Sequence, residues 1–314
     1  MKFKLYFLSI GLPLNFMFVP ISHADERTQM QDLAAGTSFF LADDSEGFQT
    51  KKVSADFFPK FEHESHYLGA RFSVYDYSLD DWNQDGYKVS FIGRNIDSSL
   101  QGWNLETGLF HQNSHTLLTV DGNYRIQVKP KTSTEFFVNR DWVETKPALE
   151  EGTHFTFLGA ALEQMIGEHV TVIGTAATQV FSDDNRRDHG RLRLIYQPSL
   201  DLGLTLQARY RTYHSTADDV QGLYFNPEHY EESMFSLGWR KRFSGWSTGI
   251  VAGFGREKVA DASRQPTQLF ELQVESPKKR NQFLKLNAGY SNSASFYGPD
   301  YRYHYVMGEW IIKF

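Results

Sequence analysis

The sequence predicts an all-β chain that closes into a transmembrane, antiparallel, up-and-down β-barrel of about sixteen strands, and three observations lead to that prediction. Apolar and polar residues alternate in segments of about ten residues, the length that a tilted strand needs to cross a bilayer. Aromatic residues make up 15% of the 314 residues, which fits the aromatic girdles of such barrels. With a mean hydropathy of −0.47, the chain can cross lipid only as a closed sheet that pairs every backbone group.

Sixteen alternating segments can be placed along the chain. They cover residues 33–42, 47–58, 66–77, 86–96, 101–111, 115–127, 132–142, 153–165, 169–181, 188–197, 202–214, 230–241, 245–257, 267–276, 282–292 and 302–314. The alternation is clear in the eleventh, where Leu204 and Leu206 flank Thr205. The segments at 115–127 and 169–181 are ambiguous, so a count of fourteen stays open. Either count is even, as is typical of single-chain bacterial barrels.

Short and long connections alternate in the order that a barrel requires. With the N-terminus on the periplasmic side, the even-numbered turns are short and lie at 95–99, 167–168, 198–201, 243–245 and 277–281. Odd-numbered connections are longer and rich in Asp, Asn, Gly and Pro, and they lie at 144–152, 182–187, 215–229, 258–266 and 292–300. Because barrels have short periplasmic turns and longer extracellular loops, this pattern predicts one barrel domain over residues 33–314.

The N-terminal segment is predicted to be an export signal. Two lysines precede an apolar run over residues 5–19, and residues 22–24 place small side chains where a signal peptidase reads them. We therefore expect residues 1–24 to be a signal peptide that is removed. Residues 25–32 would then form a short periplasmic N-terminus.

The C-terminal segment resembles the last strand of a Gram-negative outer-membrane barrel. Trp310 and Phe314 fall on the apolar face of the alternating segment that ends the chain. The resemblance implies that these two residues form the assembly signal read by the barrel-insertion machinery. It also implies the cell outer membrane as the location, with lipid and lipopolysaccharide around the barrel.

The composition excludes several chemistries. The chain has no Cys, so it can form no disulfide, thiolate metal site or cysteine lipid anchor. It shows no nucleotide-binding glycine loop, zinc cluster or nucleic-acid-binding pattern, and we expect no cofactor, no metal and no nucleic-acid partner. His111, His115 and His214 lie near Ser and Asp residues, but such groups are what solvated loops consist of. We predict no catalytic site; a lipid-modifying enzyme or a surface receptor remains the alternative from another class.

The inner face of the predicted barrel carries walls of opposite charge. Strands ten to twelve place a basic set on that face, namely Arg191, Arg193, Gln207, Arg209, Arg211, Tyr213 and Arg240. Strands five and seven place a more acidic set there, namely Asn104, Glu106, Glu135, Asn139 and Asp141. We expect most of these charges to pair with neighbours, and as a set they define a polar conduit or binding cavity. Rings on which a sugar chain could slide are predicted at Tyr75, Tyr213, Tyr303 and Tyr305.

A segment of the connection at 215–229 resembles a known family. Tyr224, Phe225, Pro227 and Tyr230 form a Tyr-Phe-x-Pro-x-x-Tyr motif. It is similar to a segment in the C-terminal barrels of bacterial exopolysaccharide exporters, those for cellulose and for poly-N-acetylglucosamine. The resemblance implies a conduit for polysaccharide export. Those exporters carry a helical-repeat scaffold before the barrel that this sequence lacks. Either a separate periplasmic helical-repeat partner supplies it, or the resemblance extends to the barrel architecture alone.

The sequence leaves the state of the lumen open. A barrel of about sixteen strands encloses an aqueous channel unless something narrows it. Porins usually narrow theirs with a long third loop, and here that loop is reduced to residues 112–114. The lumen is therefore expected to be wide, filled by its own side chains, or capped by the 215–229 segment or a partner. A general or substrate-specific porin is the alternative within transport.

Overall fold

The chain forms a closed antiparallel barrel of sixteen strands. The structure is a computed structural model that describes residues 33–199, 201–277, 281–293 and 302–314. Each strand pairs with its neighbours in sequence, and the barrel closes where β16 pairs with β1. The predicted fold class is confirmed, with sixteen strands rather than fourteen. The predicted signal peptide at 1–24 and the N-terminal stretch at 25–32 lie outside the described residues.

The elements follow the predicted segments closely. The strands are β1 Ala34–Asp44, β2 Gln49–His63, β3 His66–Leu79, β4 Trp82–Ile96, β5 Gly102–Gln112, β6 His115–Lys129, β7 Thr132–Trp142, β8 His154–Ile166, β9 Val170–Phe181, β10 Arg186–Tyr196, β11 Leu204–Ser215, β12 His229–Phe243, β13 Trp246–Val259, β14 Gln265–Glu275, β15 Gln282–Ser291 and β16 Tyr303–Lys313. The two ambiguous segments are β6 and β9. One short helix, α1 Lys146–Glu151, lies between β7 and β8, where the sequence predicts only a loop.

Contacts between strands that are not adjacent identify the inner face. Arg125 on β6 lies 2.7 Å from Glu163 on β8, and Arg240 on β12 lies 2.9 Å from Glu275 on β14. Such side chains can meet only on the concave side of the sheet, so these residues face the lumen. Every second residue shares that face, because successive side chains in a strand point to opposite faces.

The outer face is apolar and exposed. Phe254 exposes 68% of its surface, the largest value among the large apolar side chains of the strands. Other large apolar side chains on this face are Val53, Phe72, Val89, Leu109, Leu192, Leu194, Phe235, Leu237 and Phe270. Soluble monomers rarely expose contiguous apolar surface on this scale. A face of this kind matches the lipid-facing band of a transmembrane barrel.

The barrel has two different rims. The turn rim, where β1 begins and β16 ends, carries short connections such as those at 64–65, 130–131 and 244–245, and two further short connections, at 80–81 and 113–114, lie on the opposite rim. One connection of the turn rim needs a glycine at Gly203, because its φ is +67° and a Cβ there would lie 1.8 Å from the carbonyl oxygen of Arg240. Exposed aromatic side chains close to this rim are Tyr124, Tyr196, Phe243, Trp246 and Trp310. The opposite loop rim carries residues 143–153, which include α1, and residues 216–228.

No helix in the described ranges is long and apolar enough to cross a membrane.

Candidate functional site in the barrel lumen

One side of the lumen holds a network of close ion pairs, which we call the paired wall. It consists of Asp56 on β2, Arg71 on β3, Lys88 on β4, Glu106 on β5 and Glu309 on β16. Arg71 donates two hydrogen bonds to Asp56, from Nε to Oδ1 at 2.6 Å and from Nη2 to Oδ2 at 2.7 Å. Glu106 lies 2.9 Å from Lys88 and 3.3 Å from Arg71. Planar, bidentate pairs of this kind are among the strongest charged contacts.

Two more members of the predicted acidic set, Glu135 and Asn104, also have partners. Glu135 accepts a hydrogen bond from Asn123 at 2.7 Å and lies 3.9 Å from Arg125. Asn104 accepts a hydrogen bond from Arg94 at 3.2 Å. Glu106 on β5 and Glu135 on β7 are therefore held by cations of neighbouring strands.

Strands β10 and β11 carry cations on the inner face instead of paired carboxylates. Four arginines there form what we call the basic array: Arg191, Arg193, Arg209 and Arg211. Strand register places Arg191 directly opposite Arg211 and Arg193 directly opposite Arg209. Opposite residues in an antiparallel pair have Cα atoms about 4.5–5.5 Å apart. Like charges in such positions destabilise a sheet, so the array needs negative charge from elsewhere.

One carboxylate forms ion pairs with both β11 arginines. Glu232 on β12 lies 2.7 Å from Arg209 and 2.7 Å from Arg211. It also accepts a hydrogen bond of 2.6 Å from the Ser293 hydroxyl. Its side chain is fully enclosed, with 0% of its surface exposed. The short contacts of Glu232 therefore go to the two β11 arginines and to Ser293.

The β10 arginines have apolar or neutral neighbours on their other side. In the register with β9, Arg191 faces Thr175 and Arg193 faces Ile173. The Arg191 guanidinium lies 5.7 Å from the ring centroid of Phe157, a cation–π contact. Within the described ranges, no carboxylate forms an ion pair with Arg191. Both β10 arginines are partly exposed in the lumen.

Aromatic rings flank the basic array on the side of the loop rim. Tyr213 and Tyr230 stack with centroids 4.9 Å apart and planes 14° apart. The Tyr230 hydroxyl accepts a hydrogen bond from Arg211 at 2.7 Å and donates one to Glu257 at 2.8 Å. Arg187 lies over the Tyr213 ring at 5.2 Å. The array is thus bordered by flat apolar faces as well as by hydrogen-bonding groups.

The remaining predicted lumen residues lie apart from the array. Arg240 donates to Ser247 at 2.8 Å and pairs with Glu275 near the turn rim. Gln207 is 2% exposed and precedes Arg209 on the same face of β11, toward the turn rim. Tyr303 and Tyr305 are buried with Phe40 on β1. Their use as sliding surfaces stays a prediction.

The lumen is narrowed at the loop rim by α1. A buried group that we call the mouth cluster consists of Phe48, Tyr75, Tyr77, Phe110, Leu117, Trp142 and Leu149. Tyr75 shares the inner face of β3 with Arg71, and Phe110 shares the inner face of β5 with Glu106. Because Leu149 of α1 packs among these rings, the helix lies inside the barrel rim. Tyr75 is only 3% exposed there, so most of its ring contacts protein rather than open lumen.

A second buried group joins α1 to the segment at 216–228. This loop cluster consists of Val143, Ala148, Phe155, Phe181, Val220 and Tyr224. Ala148 thus packs into the loop cluster while its neighbour Leu149 packs into the mouth cluster. The Thr145 hydroxyl caps α1 by accepting from the Ala148 amide at 3.3 Å, and it donates to the carbonyl oxygen of Leu223. The helix therefore links the two clusters across part of the mouth.

The Tyr-Phe-x-Pro-x-x-Tyr motif fastens the 216–228 segment to the barrel. Tyr224 stacks on Phe181 with centroids 4.6 Å apart. Its hydroxyl lies 2.8 Å from Asp183, and the carbonyl oxygen of Phe225 accepts a hydrogen bond from Arg187. Pro227 follows in the same turn. The motif thus attaches the 216–228 segment to the strands of the barrel.

A titratable group lies in the mouth. Glu144, between β7 and α1, accepts a hydrogen bond of 3.2 Å from the Tyr77 hydroxyl. Burial, and then the neighbouring carboxylate of Asp141, raise the pKa of Glu144 to about 8. Its carboxyl group is consequently protonated over most of the physiological range.

The predicted assembly signal lies at the closing seam. Trp310 on β16 is 44% exposed on the outer face, and Phe314 is 77% exposed. The Phe314 amide donates to the carbonyl oxygen of Leu33 at 2.8 Å. These two residues therefore flank the pairing of the first and last strands, where the sheet becomes a barrel.

Three features of the site escaped prediction. Glu232 shares the inner face of β12 with Tyr230 and Arg240, so alternation alone could have found it. The same holds for Asp56, which shares a face with Ser54 on β2. The inward packing of α1 had no local signal, because it depends on contacts with strands far away in sequence.

Groups with catalytic or metal-binding chemistry are dispersed. His111 contacts the Thr116 hydroxyl at 2.9 Å, and His214 lies beside His229 with centroids 5.8 Å apart. Among the described residues, no group of three or more His, Asp or Glu side chains could hold a metal ion.

Comparison with known proteins shows the same architecture. No protein-family model and no curated protein matches the chain. A solved structure described as a bacterial polysaccharide outer membrane secretin is similar, with a TM-score of 0.66 and 12% identity over 90% of this chain and 99% of that one. At this identity the likeness shows the fold alone, and the predicted resemblance is confirmed at the level of the barrel.

A second solved structure aligns less well. The outer membrane protein OprD from Pseudomonas aeruginosa matches with a TM-score of 0.45 and 10% identity, over 90% of this chain and 94% of that one.

Proposed function

We propose that the chain is a conduit in the outer membrane and that it exports a polysaccharide. The observation that carries this proposal is the contrast between the two faces of the barrel. Its outer face is apolar and exposed, whereas its inner face is lined with charged and aromatic side chains. A closed sheet with that arrangement satisfies its backbone in lipid and offers a polar path through it.

Saccharides suit this inner face better than apolar cargo does. Flat rings such as Tyr213 can stack on sugar rings, and Arg, Gln and Asn side chains can hydrogen-bond to hydroxyl groups. The similar barrel described as a polysaccharide outer membrane secretin supports the same substrate class. The surroundings would be lipid and lipopolysaccharide, and the partners would be the insertion machinery and a periplasmic helical-repeat protein.

Gene deletion in the bacterium that encodes the protein tests the proposal. Deletion should abolish surface display of a polysaccharide, and the wild-type gene should restore it. Fractionation should place the protein in the outer membrane, with a heat-dependent shift in gel mobility as the sign of a folded barrel. Recovery as a soluble periplasmic protein would contradict the location. Unchanged polysaccharide display together with conduction of small solutes would point to a porin instead.

A further inference from the structure

The outer face of the barrel changes from apolar to basic at the loop-rim end of β12 and β13. Phe235 on β12 lies directly opposite Phe254 on β13, and both rings are exposed on the outer face. Arg256 and Lys258 follow on the same face of β13, because the side chains of a strand alternate between its two faces. Arg256 is exposed and Lys258 is half-buried. The apolar band is therefore followed, on one strand, by two outward cations.

The spacing along β13 matches the layers of a bilayer. An antiparallel strand rises about 3.4 Å per residue, so Arg256 and Lys258 lie about 7 Å and about 14 Å along the strand beyond Phe254. Strands of such barrels are tilted by about 35–45°, and the headgroup layer is about 5–8 Å deep on each side of the hydrocarbon core. When the Phe254 ring contacts acyl chains, Arg256 thus lies at headgroup depth and Lys258 at the outer edge of that layer.

The outward charge next to the apolar band is positive. Arg256 lies opposite uncharged residues on both neighbouring strands. Lys258 lies opposite Glu231 on β12, and the same carboxylate lies 3.9 Å from Arg264, the residue that precedes β14. We call these three cations, Arg256, Lys258 and Arg264, the outer basic site. The other carboxylates of the adjoining connections lie beyond the strand ends and are Glu228 and Asp261.

Two other outward cations near the loop rim are held by aspartates. Lys51 on β2 lies 3.2 Å from Asp76 on β3, and Arg186 on β10 lies 2.8 Å from Asp188 on the same strand. Within the described part of the chain, Arg256 forms no ion pair with a carboxylate. The outer basic site therefore differs from these pairs, because three cations there stand around the single carboxylate of Glu231.

From this geometry we propose that the outer basic site binds the phosphate groups of a lipopolysaccharide molecule, whose acyl chains contact Phe235 and Phe254. The inference rests on the outer-membrane location within the proposed function, with the loop rim extracellular as the connection pattern predicts. A guanidinium group offers paired N–H donors that match phosphate, and a lysine adds a point charge. Three cations suit an amphiphile with two phosphate groups better than a phospholipid with one.

Titration of lipids into the purified, detergent-solubilised protein, followed by native mass spectrometry, tests the inference. The probes are diphosphoryl lipid A, monophosphoryl lipid A and phosphatidylglycerol. Diphosphoryl lipid A should bind most tightly, and replacing Arg256 and Lys258 together by Gln should weaken it about tenfold. The matched control replaces Lys51 and Arg186 together by Gln, which removes two outward cations near the same rim. It should change the affinity by less than about twofold.

Equal weakening in the two double variants would overturn the inference. Phosphatidylglycerol that binds as tightly as diphosphoryl lipid A would overturn the lipopolysaccharide assignment in favour of a site for any anionic lipid. The comparison of the three lipids uses the wild-type protein alone, so it decides the question even if a variant folds poorly. Because binding in detergent needs no flow through the barrel, unchanged polysaccharide display would contradict only the proposed export.

Discussion

The paired wall and the basic array are built from the same kinds of residues, yet they manage charge in opposite ways. In the paired wall, Arg71 and Lys88 each contact carboxylates at 2.6–2.9 Å. In the basic array, two pairs of arginines face each other across β10 and β11. Glu232 forms ion pairs with the β11 member of each pair. The first arrangement holds strands together. The second places like charges directly opposite each other on one side of the lumen.

This difference predicts opposite effects of neutralisation on stability. Glu106→Gln leaves Arg71 and Lys88 short of a buried partner, so it should lower the free energy of unfolding by about 3 kcal/mol. Arg191→Gln relieves a like-charge pair and should cost close to nothing. Urea unfolding of the barrel in lipid vesicles, followed by tryptophan fluorescence, measures both. Equal losses in the two variants would remove the distinction between the walls.

Neighbouring residues on β10 face opposite sides of the barrel, so substitutions at adjacent positions should have different effects. Leu192 is 53% exposed on the outer face, between the inward-facing Arg191 and Arg193. Leu192→Arg should destabilise the barrel by about 2–4 kcal/mol if the residue lies near the middle of the bilayer. Arg193→Gln, one residue away, should assemble normally. The yield of heat-modifiable protein in the outer membrane compares them, and similar yields would mean that the faces are wrongly assigned.

The helix α1 stands between the two sides of the mouth. Leu149 is fully buried in the mouth cluster. Leu149→Asp should release α1 and raise the conductance of the barrel in planar bilayers, while the strands stay paired. Glu150→Gln on the exposed side of the same helix is the matched control and should behave like the wild type. A conductance unchanged by Leu149→Asp would show that α1 does not narrow the path.

The mouth should also respond to pH. The pKa of Glu144 is raised to about 8 in the folded protein, above the usual value for Glu, so the protonated form favours the packed mouth. This contribution is fully present at low pH and is lost as the pH rises through about 8. Open events should therefore become more frequent above that pH, and Glu144→Gln should flatten the dependence. Tyr77 and Asp141, with Lys52 and Lys88 nearby, are the groups that face Glu144.

Much of the barrel could be predicted because its main signal is local. A period of two distinguishes the two faces of a strand without any knowledge of its neighbours, as at Leu204 and Thr205 on β11. That alternation predicts that the arginines of the basic array face inward. Because they lie on adjacent strands, it also predicts that they share one side of the lumen. The lengths of the connections between strands predict which rim carries the longer loops.

What could not be predicted depends on contacts between distant parts of the chain. Arg71 meets Glu309 at 3.7 Å only because β16 closes the barrel against β1 and brings it near β3. Helix α1 is six residues long, too short to be stable alone, and it is held by Leu149 and by the cap at Thr145. Neither contact has a signature in nearby residues.

The reversal potential in a planar bilayer under a salt gradient tests the central claim most directly. With the purified wild-type protein we expect measurable conductance. Neutralising Arg191, Arg193, Arg209 and Arg211 to Gln should shift the reversal potential toward cation selectivity, because the basic array dominates that side of the lumen. The control Lys52→Gln on β2 should shift it much less. A silent bilayer, or equal shifts in the two proteins, would contradict the account of a conduit with one basic side.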